Sequence, residues 1–185
     1  MKIIKTIEHF RIRNEAPAFY IFDIWEIEVS STFFNKIKNH PRIFICKKEN
    51  SIPEPTASHV GFIFHKKGTS SPKMDSTTQV RLSFSGVARL KHKDNYILLK
   101  ENGIIKPFGG AYHLTNFKFP KKITLENSPD TRMFFSAKDY LSIKNWLFDS
   151  KNVDRTIHRE LFEEFVLEND IINESCFNLE FINSK

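Results

Sequence analysis

The chain has 185 residues, of which 40 % are hydrophobic and 19 are phenylalanine, so it can bury one substantial core and is not globally disordered. No apolar run approaches a bilayer-spanning length, and the start "MKIIKTIEHFRIRNE" scatters charge through any would-be leader, which reads as a cytoplasmic protein with no membrane partner. The net charge of +6 is uneven: residues 1–80 hold 12 Lys/Arg and 8 Asp/Glu, residues 81–125 hold 9 and 2, and residues 126–185 hold 7 and 12.

In chain order, residues 19–29 ("FYIFDIWEIEV") read as a strand, rich in aromatic and β-branched side chains. Residues 31–41 ("STFFNKIKNHP") predict a short helix capped by Ser31 or Thr32 and stopped by Pro41. A strand at 42–47, a proline-marked loop at 48–58 and a strand at 59–66 follow. The polar stretch 66–79 marks a boundary, dividing a β-rich section, 1–78, from the section 79–185. "VRLSFSGVARLKH" (80–92) predicts a strand with a bulge or bend at Gly86, and "KDN" turns it back into "YILLK" (96–100). Residues 136–150 approach helical spacing behind Ser136 as N-cap, and 152–169 predict a second helix with Ile157, Leu161 and Phe165 on one apolar face. "CFNLEFI" (176–182) reads as a closing strand. Cys46 and Cys176 form neither a CxxC motif nor a disulfide framework.

The chemistry concentrates in "RTIHRELFEEF" (155–165). On a helix Glu160, Glu163 and Glu164 share one face, where like charges repel, and carboxylate oxygens at that spacing suit a hard divalent cation as well as they suit a solvated face. "RELFEE" has the form Arg-Glu-aliphatic-x-Glu-Glu, and upstream "GVARLKHKDNYILLKENGIIKPFGG" runs strand–turn–strand into a Pro-x-Gly-Gly loop. These two pieces, in this order, resemble the NUDIX hydrolase superfamily. Gly110 and Arg159 are 49 positions apart, which implies a long insertion at 111–153. Its Asp-x-Arg strand, its helix ending "WLFDS" and its arginine-rich approach to the box resemble the SMODS-associated NUDIX domain branch of bacterial antiphage defence.

The resemblance implies an α/β fold, a NUDIX-like α/β/α sandwich around a mixed sheet. It implies that Glu160, Glu163 and Glu164 bind Mg²⁺ or Mn²⁺, one of them able to serve instead as the base on water, while Arg159 ties the loop to the helix. Gly109, Gly110 and His113 would meet the substrate. The implied activity is metal-dependent hydrolysis of a nucleoside diphosphate linked to another group; the alternative is a non-catalytic nucleotide sensor. The partner is then a nucleotide-type small molecule, with a homodimer or a second chain completing the fold. Nucleic acid is disfavoured, because the basic segment lacks interleaved aromatics on a binding module. Two positions depart from the family pattern. "AYHLTNFKFP" offers no acid after the loop to pair with Arg159, so Asp130, Asp149 or Asp154 is expected in that role. Val166 also stands where the family has glycine.

Overall fold

A computed structural model describes residues 2–13, 16–47 and 75–181. The expected loop at 48–58, the strand at 59–66 and most of the boundary stretch at 66–79 lie outside the described residues. Strands β1 (Lys2–Arg13) and β2 (Ala16–Glu28) pair antiparallel. β2 then lies parallel to β4 (Gln79–His92), in register from Ala18 opposite Arg81 to Glu28 opposite Lys91. β5 (Asn95–Glu101) returns antiparallel to the end of β4 and is flanked by β3 (Ile43–Cys46) and β6 (Ile104–Lys106). The start of β4 pairs instead with β9 (Arg132–Ser136), which carries β8 (Thr124–Leu125). A separate two-stranded ladder joins β7 (His113–Leu114) to β10 (Val153–Asp154). The sheet is mixed, as expected, and β4 is its spine. Residues 82–88 of β4 are buried without interruption, the signature of a strand covered on both sides.

The helices are α1 (Ser31–Ile37), α2 (Tyr140–Phe148), α3 (His158–Phe162) and α4 (Glu174–Phe181), and α3 continues into a π-helical turn, Glu163–Leu167. Val80, Leu82, Phe84, Ala88 and Leu90 share one parity and so one face of β4, whose two ends serve different parts of the core. Val80, Leu82 and Phe84 pack with Ile143 and Leu147 of α2, while Ala88 and Leu90 pack with Phe33 of α1 and with Ile157, Leu161 and Phe165. The apolar stripe is therefore fully inside, as its spacing predicts. Phe165 stacks on Phe108 with ring centroids 4.5 Å apart and meets Phe33 edge-on at 5.4 Å.

Several local expectations are corrected. Ser30, not Ser31 or Thr32, caps α1, accepting from the Phe33 N–H at 3.0 Å. Ser136 makes no side-chain cap; a 3-10 turn, Ala137–Asp139, precedes α2. The box helix starts at His158 rather than near 152, because Val153 and Asp154 are drawn into pairing with Leu114 and His113, and Asp154 Oδ1 accepts from the Thr156 N–H. Residues 174–181 are helical, not a strand. Asn173 Oδ1 accepts from the Cys176 N–H at 2.9 Å, an N-cap that outweighs the apparent alternation. β1 has no counterpart among the predicted elements.

One buried ion pair fastens these parts together. Asp23 is fully buried in β2. Its carboxylate accepts from the Thr6 hydroxyl at 2.6 Å, the Tyr112 hydroxyl at 3.0 Å, and Arg155 Nε and Nη2 at 3.1 and 2.8 Å. The Trp25 indole N–H donates to the Tyr112 oxygen at 2.8 Å. Burial, then the neighbouring Asp23 charge, raises the Tyr112 phenol well above its ordinary range, so it remains a donor. The Arg155 guanidinium lies over the rings of Phe84 and Phe148, at 5.1 and 4.8 Å. Removing the carboxylate strands a largely buried cation. Asp23→Ala is predicted to cost about 3 kcal/mol of stability in urea unfolding, and an unchanged midpoint would show that the network carries no weight.

Candidate active site

The middle of β4, between its β9 and β5 pairings, is covered by the Gly-Gly loop. The Ala88 N–H donates to the Phe108 carbonyl at 2.8 Å, the Gly86 N–H to the Gly110 carbonyl at 2.9 Å, and the Tyr112 N–H to the Phe84 carbonyl at 3.1 Å. Gly109 has φ +133°, and a Cβ there would overlap the Gly86 carbonyl oxygen, so both its conformation and its surroundings require glycine. A Cβ on Gly110 would fall on the Glu160 carboxylate. Gly86 makes no bulge, since the β2–β4 register runs through it unbroken. It is small because a Cβ would meet Ile157 at 2.7 Å and Tyr112 at 3.0 Å.

Stacking of Phe108 on Phe165 sets α3 against this loop, and three polar ties complete the joint. Arg159 Nη1 donates to both oxygens of Glu163, at 2.8 and 2.9 Å, and Nη2 donates to the Ala111 carbonyl at 2.8 Å and to Glu160. The Gly109 N–H donates to Glu164 Oε2 at 2.7 Å. Lys106 Nζ lies 3.8 Å from Glu164 Oε1 and 2.7 Å from Glu101. Arg159 thus does tie helix to loop, but through a backbone oxygen. Asp130, Asp149 and Asp154 are not its partners: Asp130 faces His113 and Arg132, Asp149 accepts from the Lys151 N–H, and Asp154 from the Thr156 N–H. A carbonyl has no sequence signature, so the sequence alone points to an acid as the tether.

Val166 sits inside the π turn, closed by the Glu168 N–H donating to the Glu163 carbonyl at 2.8 Å. The left-handed residue that ends this segment is Asp170, with φ 49°, so position 166 needs no glycine. The Asn169 side chain accepts from Arg42 and donates to the Glu164 carbonyl, at 2.7 Å each, locking the widened turn.

Glu160 and Glu164 are buried, while the Glu163 side chain is about one-third exposed. Burial pushes the Glu164 carboxyl up to about 8, against the lowering effect of the Gly109 N–H and Lys106. Burial also raises Glu160, offset by Arg159 and reinforced by Glu163 and Asp130. Among the described residues no three His, Cys, Asp or Glu side chains are gathered at metal-ligand spacing, because Arg159 draws Glu160 and Glu163 to itself. The donor set nevertheless fits a divalent cation. It is all hard oxygen, and two of its carboxylates carry a desolvation cost that a cation would relieve. His113 lies beyond the loop, on β7, in ion-pair reach of Asp130. Lys106, the residue just before "PFGG", was missed; its place beside the loop motif was the available signal.

A two-glycine loop laid across a sheet strand and pinned to a Glu-bearing helix agrees with the NUDIX class that the sequence resembles. The family profile described as the SMODS-associated NUDIX domain matches residues 79–184, more than half of the chain, and the protein belongs to that family. No curated protein and no solved structure matches it.

Glu164 generates a pH prediction for the metal-free protein. Its folded value lies above its ordinary 4.5, so the stability it contributes when neutral is complete below 4.5 and is lost as pH rises through about 8. In EDTA at about pH 9, Glu164→Gln is expected to exceed wild type by on the order of a few kcal/mol, a gap that closes toward pH 5. Denaturant titrations across that range measure it; a gap that does not change with pH contradicts the raised carboxyl.

Proposed function

We propose that the protein hydrolyses a nucleoside diphosphate linked to another group, using Mg²⁺ or Mn²⁺, within a cytoplasmic nucleotide-signalling system of the antiphage kind. The observation that carries this reading is the pair of buried carboxylates, Glu160 and Glu164, pressed against a glycine loop with no room for side chains. Family membership supports the hydrolase class. Glu160, Glu163 and Glu164 would hold the metal, which supplies charge neutralisation at a phosphoryl oxygen and a water of lowered pKa. The loop at Gly109 and Gly110 lets backbone approach the diphosphate, and His113 contacts the substrate. Arg159 keeps the helix in register with the loop through the Ala111 carbonyl.

One observation favours the sensor alternative. Arg159 engages two of the three glutamates and lacks the loop acid that would draw it away. Nucleoside triphosphates, dinucleoside polyphosphates, ADP-ribose and cyclic oligonucleotides, each with Mg²⁺ or Mn²⁺, separate the readings. Turnover of at least one, reduced at least about 100-fold by Glu163→Gln, is the expected result. Tight binding without turnover across the panel supports the sensor instead.

Calorimetry tests the metal directly. Wild type should take up Mn²⁺, and the Glu160/Glu163/Glu164 triple Gln variant should not; equal heats would remove these residues as ligands.

A further inference from the structure

The insertion does more than lengthen the path from loop to helix, because it delivers Asp130 opposite His113. The two residues form an isolated antiparallel bridge. The Leu114 N–H donates to the Pro129 carbonyl at 2.7 Å and the Thr131 N–H to the Tyr112 carbonyl at 2.8 Å. Thr131 is fully buried, and its hydroxyl lies 2.5 Å from the Phe84 carbonyl and 3.0 Å from that of Tyr112. The backbone thus fixes the register on which the two side chains meet.

His113 Nε2 stands 3.4 Å from Asp130 Oδ1, within ion-pair range. The other Asp130 oxygen faces Arg132 at 3.3 Å. His113 Nδ1 has no hydrogen-bond partner among the described residues, and the side chain is 29 % exposed. The pair flanks the candidate site. Ala111, two residues before His113, holds Arg159, and the Asp130 charge is felt at Glu160. Each of the three glutamates already accepts from a donor: Glu160 and Glu163 from Arg159, Glu164 from Gly109. On the reading above these three carboxylates hold the metal, so a group outside them takes the proton from water.

We propose that His113 is the general base of the hydrolysis and that Asp130 is its positioning residue, an inference that rests on the hydrolase reading above. The Asp130 carboxylate accepts from Nε2–H, which leaves the Nδ1 lone pair free. Nδ1 takes one proton from a water as the water oxygen bonds to phosphorus. The P–O bond to the leaving phosphate breaks with its electron pair on that oxygen, and the imidazolium then releases its proton to solvent.

The test uses the full chain with Mg²⁺ or Mn²⁺ and whichever compound of the panel wild type turns over. His113→Asn should lower kcat by about 10²–10⁴-fold with KM within about twofold. Asp130→Asn should lower kcat by a smaller factor, and the double variant should be no slower than His113→Asn alone, because Asp130 acts only through the imidazole. Melting temperatures show that the variants fold; if His113→Asn does not, His113→Gln carries the same comparison. An unchanged kcat with a raised KM leaves His113 only the substrate contact of the reading above and overturns the proposal. So does an Asp130→Asn loss that persists undiminished in the His113→Asn background. If Glu163→Gln is inactive while His113→Asn runs at the wild-type rate, only this inference falls. If wild type turns over nothing, the hydrolase reading falls with it.

Discussion

The Asp23 carboxylate is the point on which the arrangement turns. A charge at the centre of a sheet strand is tolerable only if every oxygen is satisfied, and Asp23 accepts four hydrogen bonds from three parts of the chain. Thr6 brings in β1, Tyr112 brings in the segment leaving the Gly-Gly loop, and Arg155 brings in the approach to α3. Loop and helix are far apart in sequence, and Asp23 holds the flanks of both. The aromatic rings over Arg155 strengthen the pair by excluding water on the side that the carboxylate does not cover.

Around this fixed point the site is built from groups that are costly to bury. Glu160 and Glu164 lose solvation against a loop whose glycines admit them closely, and among the described residues Arg159, Lys106 and one backbone N–H answer their charge. A folded core would not gather like charges in this way for stability, since repulsion and desolvation both oppose it. Arg159 joins the loop to two of the glutamates at once, through the Ala111 carbonyl on one side and Glu160 and Glu163 on the other.

The core of this design was legible in the sequence because it rests on local pattern. "RELFEE" gave the acidic face, Ile157, Leu161 and Phe165 gave the buried face by spacing alone, and "PFGG" gave the loop. What the sequence hid depends on contacts distant along the chain. The parallel pairing of β2 with β4 cannot be inferred from either strand. Asp23 read as a polar interruption of a strand, because its partners at 112 and 155 are invisible to periodicity. The Ala111 carbonyl that replaces a loop acid carries no side-chain signal. The stretch 176–182 reads as a strand, but the helix at 174–181 starts from a cap at Asn173 that apolar spacing does not reveal. Val166 lies within a π-helical turn, and the left-handed residue after it is Asp170.

The parallel β2–β4 pairing has a consequence for how the chain comes off the ribosome. β2 is synthesised long before the strand it lies against, and the loop that supplies Tyr112 and the turn that supplies Arg155 emerge later still. Until then Asp23 is an unpaired charge on a strand with one open edge, held only by its hairpin with β1. The family-matched stretch begins at residue 79, the first residue of β4. A polypeptide started there would leave β4 without its neighbour along the whole run from Arg81 to Lys91, an exposed ladder of backbone donors and acceptors of the kind that recruits other chains. In the folded chain β2 covers that edge, so the family-matched stretch has its spine paired by strands that lie outside the match.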